Sequence, residues 1–111
     1  MNTRTWAEIN MDALKENIKN IRKITNKNSM VMAVVKADAY GHGAVNVARL
    51  LLENGADRLA VADLDEAIEL RRSGILCEIL ILGASFAEDC SSLVKYNITP
   101  AVFSYDFAKR L

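Results

Sequence analysis

The chain has 111 residues, 14 of them basic and 14 acidic, and 51% of the residues are hydrophobic. This length fits a single domain with a real core, and the apolar content excludes intrinsic disorder. The balanced charge and the lack of a basic block argue against nucleic acid or an anionic membrane as a partner. No apolar run approaches the roughly 18 residues of a transmembrane helix. The amino terminus lacks a signal-peptide pattern, so a cytoplasmic location is expected.

The first part of the chain is predicted to form a short strand and then an amphipathic helix. Residues 4–10 alternate in hydrophobicity, which favours a lead-in strand over residues 1–10. From Met11 onward the apolar residues recur at steps of three and four, which is the spacing of one helix face. Asn10 is the predicted N-cap of this helix, and the Asn-Lys-Asn run at 26–28 ends it.

A strand-then-helix pattern then repeats along the chain. Strands are predicted at residues 30–36, 58–62, 77–82 and 98–103, and helices at 44–54, 63–73, 86–96 and after Ser104. Ser85 and Glu88 are predicted to form a capping box at the start of the third of these helices. Alternating βα units indicate a parallel sheet with right-handed crossovers. The periodicity leaves two α/β architectures open, namely a doubly wound sheet and part of an eight-unit barrel.

The predicted strand at residues 30–36 ends in a lysine, Lys36, and polar residues and glycines follow directly. Removal of an amine from water favours its uncharged form, which can act as a nucleophile or a base. The alternative interpretation is that Lys36 places its stem along the core and its ammonium group in water. A dinucleotide site is the rival chemical hypothesis, with Gly41 and Gly43 at the phosphates and Asp63 at the ribose. Asn46 at the third glycine position argues against it.

Nine consecutive residues, Val-Lys-Ala-Asp-Ala-Tyr-Gly-His-Gly at 35–43, resemble the pyridoxal phosphate lysine motif of bacterial alanine racemases. The opening Thr-Trp-Ala-Glu-Ile-Asn at 5–10 is also similar to that family. The resemblance implies an α/β fold of parallel βα units that form about half of a TIM-type (β/α)8 barrel. It further implies that residues 11–111 are the truncated amino-terminal portion of the barrel domain.

The same resemblance implies a pyridoxal 5'-phosphate cofactor and residues that hold it. Lys36 is the expected catalytic residue and would form a Schiff base with the cofactor aldehyde. Tyr40 would bind the cofactor phosphate through its hydroxyl group. Leu82, at the end of the third strand, would lie beside the cofactor, although it could equally be a core residue. No metal ligand set is expected.

The activity implied by the resemblance is the interconversion of L- and D-alanine, which supplies D-alanine for peptidoglycan, by a homodimeric parent protein. The substrate is then a small amino acid, and the second base would come from a partner subunit. Two alternatives stay open: a racemase for serine or another small amino acid, and a non-catalytic half barrel that binds the cofactor or associates through its open sheet edge.

Predictions also follow for four side chains outside the cofactor set, namely Asp38, His42, Cys77 and Cys90. Asp38 is predicted to cap backbone groups in a tight loop, without a catalytic role. His42 is either a titrating group near neutrality or a surface histidine that bonds to its loop. Cys77 and Cys90 lie in different predicted elements, without metal-ligand spacing, and are predicted to be reduced thiols.

Overall fold

The computed structural model describes residues 5–111, and in this range strands alternate with helices after a first helix. In chain order the elements are α1 (Met11–Ile24), β1 (Met32–Val34), α2 (Ala44–Asn54), β2 (Arg58–Val61), α3 (Leu64–Arg72), β3 (Ile79–Ala84), α4 (Cys90–Lys95), β4 (Thr99–Ala101) and α5 (Tyr105–Arg110). A helical turn, Lys36–Tyr40, follows β1, and a 3₁₀ turn, Ala87–Asp89, precedes α4. The predicted order of elements from the first helix onward is confirmed. None of the helices within residues 5–111 is long and apolar enough to cross a membrane.

The four strands form one parallel sheet in the order β1-β2-β3-β4. Each strand is therefore added beside the previous one, and the order never reverses. A doubly wound sheet reverses its strand order at a switch point, whereas a (β/α)8 barrel adds its strands sequentially. The sheet thus has the architecture of half a TIM-type barrel, as expected from the family resemblance.

The hydrophobic core lies on the face of the sheet that the helices cover. Leu59 and Ile79 are fully buried there and are paired across β2 and β3. The opposite face, which we call the open face, carries Met32, Val34 and Leu82, and these side chains are 37%, 41% and 40% exposed. The Cα radius of gyration is 15.7 Å, against about 13 Å for a compact domain of this length. The open face therefore corresponds to the face that lines the interior of a complete (β/α)8 barrel.

The predicted lead-in strand is not present. Residues 5–10 have no regular secondary structure, and residues 1–4 lie outside the described part of the chain. Strands require hydrogen-bonded neighbours, and the sheet formed within residues 5–111 consists of β1 to β4 alone. Trp6 is 69% exposed, and its indole N–H donates to Glu8 at 3.1 Å. Alternation over seven residues was too weak a signal of burial.

The capping box predicted from Ser85 and Glu88 is also wrong. The N–H of Phe86 instead donates to the Asp89 carboxylate at 2.7 Å, and the N–H of Asp89 donates to the carbonyl oxygen of Phe86. The cap lies one residue later because β3 continues through Gly83 to Ala84, two residues beyond its predicted end. Asn10 and Ser104 are N-caps as predicted, with side chains that accept from Ala13 and Phe107.

Arg71, in the last turn of α3, connects two loops at the amino-terminal edge of the sheet. Its guanidinium group donates to the carbonyl oxygens of Ile75 and Cys77, in the loop before β3, at 2.9 and 2.7 Å. It also donates to Tyr96 and Asn97, in the loop before β4, at 2.8 and 2.9 Å. One planar group therefore satisfies four carbonyl oxygens near helix ends, where intrahelical donors are lacking.

We expect Arg71→Lys to lower the free energy of unfolding by about 2 kcal/mol, because an ammonium group cannot reach all four oxygens at once. Chemical denaturation followed by circular dichroism measures the change. The matched control is Arg72→Lys, at the exposed neighbouring position, for which a change within about 0.5 kcal/mol is expected. Equal losses in the two variants would show that the four hydrogen bonds do not determine the effect.

Candidate functional site at the carboxyl end of the sheet

Lys36 lies at the carboxyl end of β1, where the chain leaves the sheet. The preceding residue, Val35, is 1% exposed, and its N–H still donates to the carbonyl oxygen of Ala60 in β2 at 2.9 Å. Lys36 itself is half-buried. In parallel α/β sheets and barrels, ligands bind at this edge. The predicted position of Lys36 at the end of the first strand is therefore confirmed.

The segment Lys36–Tyr40, which we call the lysine turn, has a left-handed backbone. The φ angles of Ala37, Asp38, Ala39 and Tyr40 are 52°, 55°, 54° and 56°. Residues other than glycine rarely adopt this left-handed conformation, which costs each of them roughly 1–2 kcal/mol because Cβ approaches the following carbonyl oxygen. Gly41 and Gly43 continue at φ 89° and 91°, where glycine is tolerated. Strain of this kind clusters at functional sites.

Hydrogen bonds from three directions hold the lysine turn. The N–H of Ala39 donates to the carbonyl oxygen of Val35 at 2.9 Å. The Asp38 carboxylate accepts from the N–H of Ala44, the first residue of α2, at 2.8 Å. The ring Nδ1 of His42 lies 3.1 Å from the carbonyl oxygen of Ala39. Asp38 therefore caps the backbone as predicted, and His42 is a loop-bonding histidine.

Glu66 also contacts the lysine turn, and the sequence had not indicated this. One carboxylate oxygen accepts from the N–H of Ala37 at 2.7 Å, and the other accepts from the N–H of Ala62 at 2.7 Å. A sequence signal existed, because Asp63 and Glu66 have the spacing of a capping box at the start of α3. A capping box predicts a bond to the N–H of Asp63, so the signal gives neither the observed bond to Ala62 nor the bond to Ala37, 29 residues away.

Tyr40 and Leu82 lie at the same edge of the sheet as Lys36. Tyr40 is in the lysine turn itself, four residues after Lys36, and is 61% exposed. Leu82 is near the end of β3, two strands from β1, with its side chain on the open face. The structure thus joins Lys36 and Tyr40 in one turn and leaves Leu82 accessible beside the open face.

Gly83, next to Leu82, permits a close approach between β2 and β3. Its N–H donates to the carbonyl oxygen of Ala62 at 3.1 Å. A Cβ atom built on Gly83 would lie 2.6 Å from that same oxygen. Any side chain here would push the strands apart at the edge where Leu82 and Lys36 lie.

Cys77 and Cys90 are free thiols, as predicted. Burial raises the pKa of the Cys77 thiol, and the nearby Arg71 guanidinium opposes this only partly. Cys77 precedes β3 and therefore lies at the opposite edge from Lys36. Within residues 5–111, no three His, Cys, Asp or Glu side chains are grouped to hold a metal ion.

The side chains at this edge fit the chemical parts of pyridoxal phosphate. Lys36 carries an amine that suits an aldehyde, the exposed Tyr40 has a hydroxyl group that can donate to a phosphate, and the accessible Leu82 can cover an aromatic ring. The fold is half of a parallel βα barrel, and the groups lie at its ligand-binding edge. The fold and these side chains therefore fit a pyridoxal phosphate site at this edge of the sheet.

Comparison with known proteins identifies the family. Residues 9–111 match the family described as "Alanine racemase, N-terminal domain", and the chain belongs to that family. Alanine racemases depend on pyridoxal phosphate. The alanine racemase of Methanococcus maripaludis is 55% identical over 106 residues, which are 96% of this chain and 28% of the relative.

Solved structures agree with this family. The chain superposes on alanine racemase from Bacillus anthracis with bound L-Ala-P with a TM-score of 0.94 at 40% identity, covering 98% of this chain and 28% of the other. It also superposes on histidine racemase from Leuconostoc mesenteroides with a TM-score of 0.82 at 34% identity, covering 90% and 27%. The chain thus spans just over a quarter of the length of the proteins that it resembles.

The left-handed turn can be tested by whether a glycine substitution raises or lowers the free energy of unfolding. We expect Ala37→Gly to raise the free energy of unfolding by about 1 kcal/mol, because glycine adopts positive φ without a Cβ clash. Thermal or urea unfolding measures the change. Ala13→Gly, at an exposed position of the right-handed helix α1, is the control and should destabilise by about 1 kcal/mol. Destabilisation by Ala37→Gly would contradict a left-handed turn.

Proposed function

We propose that the chain is the amino-terminal part of an alanine racemase that interconverts L- and D-alanine with pyridoxal phosphate. The observation that carries this proposal is the position of Lys36 in the left-handed lysine turn at the carboxyl end of β1, within the matched family region. Residues 11–111 would then be the first portion of the barrel domain. The rest of the barrel and a further domain would belong to the parent protein.

Lys36 is the proposed catalytic residue. When bound, pyridoxal phosphate supplies an aldehyde for an amine and an electron-withdrawing ring that acidifies the Cα proton of an amino acid. The Nζ atom of Lys36 would hold the cofactor in the resting protein. During turnover the same atom would take the Cα proton from one face, or return it.

Tyr40 and Leu82 are the proposed cofactor-binding residues. The Tyr40 hydroxyl group would donate to a phosphate oxygen, since it is exposed and lies in the same turn as Lys36. Leu82 would pack against the ring, because its side chain is on the open face and an apolar surface suits an aromatic ring. Together with Lys36 they would fix the ring, the phosphate and the reacting carbon.

The remaining properties of the parent protein are proposed from the family resemblance. Racemisation needs a second base on the opposite face, and a tyrosine from the partner subunit would supply it, which implies a homodimer. The product D-alanine would serve peptidoglycan synthesis. A cytoplasmic location is proposed as well, and the free thiols of Cys77 and Cys90 agree with its reducing conditions.

A second candidate is racemisation of another amino acid. The structural match to a histidine racemase, at 34% identity, supports this second candidate, because this portion of the fold occurs in proteins with different substrates. Serine or another small amino acid would use the same Lys36 chemistry. Assays of the parent protein with alanine, serine and histidine distinguish these substrates. A turnover of serine or histidine faster than that of alanine would select the second candidate.

The role of Lys36 can be tested on this chain with pyridoxal phosphate, borohydride reduction and mass mapping. We expect one reduced pyridoxyl group per chain, on Lys36, because this amine lies at the ligand-binding edge. Lys36→Ala should abolish the label, whereas Lys27→Ala, in the loop before β1, should retain it. In the parent protein Lys36→Ala should lower alanine racemisation by about a thousandfold or more.

A label scattered over many lysines would show that Lys36 is not activated in this chain. The assignment would then apply to the longer parent protein alone. Full racemisation by the Lys36→Ala parent would contradict the proposed catalytic role.

A further inference from the structure

Glu66 connects the ends of two neighbouring strands through one carboxylate. Its two oxygens accept from the N–H of Ala37, directly after Lys36, and from the N–H of Ala62, directly after β2, both at 2.7 Å. Short bonds of this kind, with a charged acceptor, are stronger than neutral ones. A carboxylate can accept both bonds at once, whereas an amide side chain offers a single oxygen.

The contacts of Glu66 go beyond helix capping. Asp63 already caps α3, because its carboxylate accepts from the N–H of Glu66 at 3.0 Å. In an ordinary capping box the glutamate would return to the N–H of the N-cap residue. Here one oxygen of Glu66 accepts from Ala62, the residue before the N-cap. The other oxygen accepts from Ala37 in the lysine turn. The second bond stabilises the turn and adds nothing to α3.

The lysine turn needs such a bond because packing alone does not confine it. A cavity of about 230 Å³ lies between the turn and α3, with Asp38, Glu66 and Glu69 among its lining residues. A strained backbone segment next to free space can relax into that space when its hydrogen bonds are removed. Ala37 is also exposed, so its side chain does not anchor the turn.

We infer that Glu66 is a positioning residue whose carboxylate holds the lysine turn in its left-handed form and thereby orients Lys36 and Tyr40 toward the cofactor. The inference rests on the proposed function for the role of Lys36. Glu66 does not touch the reacting atoms, and it acts through the backbone of Ala37 and the neighbouring end of β2.

The first test measures amide hydrogen exchange in the chain without cofactor. Glu66→Gln keeps one acceptor and Glu66→Ala keeps none, so exchange at Ala37 should accelerate in that order, with the alanine variant faster by roughly tenfold or more. Glu69→Gln is the matched control. Glu69 lies one turn further along α3 and lines the same cavity, and its side chain accepts no hydrogen bond within residues 5–111.

The second test measures selective labelling with pyridoxal phosphate and borohydride. The share of label on Lys36, relative to the other lysines, should fall about tenfold in Glu66→Ala and remain unchanged in Glu69→Gln. Ser104→Ala removes the cap of the distant helix α5 and is the control for a general loss of stability, because it does not touch the lysine turn. A purely structural role of Glu66 would make the Ser104 and Glu66 variants behave alike.

The outcomes separate this inference from the proposed function. Unchanged Ala37 exchange in both Glu66 variants overturns the inference, whether or not Lys36 is labelled. Faster exchange together with lost selectivity supports it. Faster exchange with wild-type selectivity overturns the link from the turn to Lys36. Absent labelling of Lys36 in the unmodified chain contradicts the proposed function for this chain, and with it the role of Glu66 toward the cofactor.

Discussion

The left-handed lysine turn is the constraint on which the candidate site depends. Four consecutive residues other than glycine at positive φ cost roughly 4–8 kcal/mol in total, which is comparable to the net stability of a whole domain. The surrounding structure offsets this cost through the bond between Ala39 and Val35, through burial of Ala39, and through the carboxylates of Asp38 and Glu66. In return, the chain reverses direction within a few residues. Lys36 and Tyr40 therefore remain at one edge of the sheet while α2 begins at Ala44.

The sequential sheet explains why the site is accessible in this chain. Every crossover adds its strand on the same side, so the helices cover one face and the other stays open. In an eight-unit barrel that face is filled by inward side chains from all strands. Here Met32, Val34 and Leu82 are partly exposed on it. Arg58 and Glu78 form an ion pair at 3.0 Å near the amino-terminal end of the sheet, away from Lys36.

Most elements could be predicted from the sequence because their signals are local. Asn10 and Ser104 cap helices through contacts three residues away, and the motif at 35–43 located Lys36 and Tyr40 through family resemblance. The βα period alone did not distinguish a barrel from a doubly wound sheet, because both architectures share it, and the choice of the barrel came from the family resemblance. The left-handed turn escaped prediction since Ala-Asp-Ala-Tyr holds a single residue, Asp38, that favours positive φ. Its conformation depends on tertiary bonds such as that from Glu66, which lies far along the chain.

At the two edges of the sheet, side chains of opposite charge satisfy the backbone groups near helix ends, and this leaves Lys36 chemically distinct. Helix ends at the amino-terminal edge present unpaired carbonyl oxygens, which Arg22 and Arg71 satisfy. Helix starts at the carboxyl edge present unpaired N–H groups, which carboxylates such as Asp38 and Glu66 satisfy. Between each strand and the helix that follows it, residues 35–43, 62–63, 85–89 and 102–104 contain one lysine and no arginine. A carbonyl ligand that reaches these four loops therefore meets a single amine.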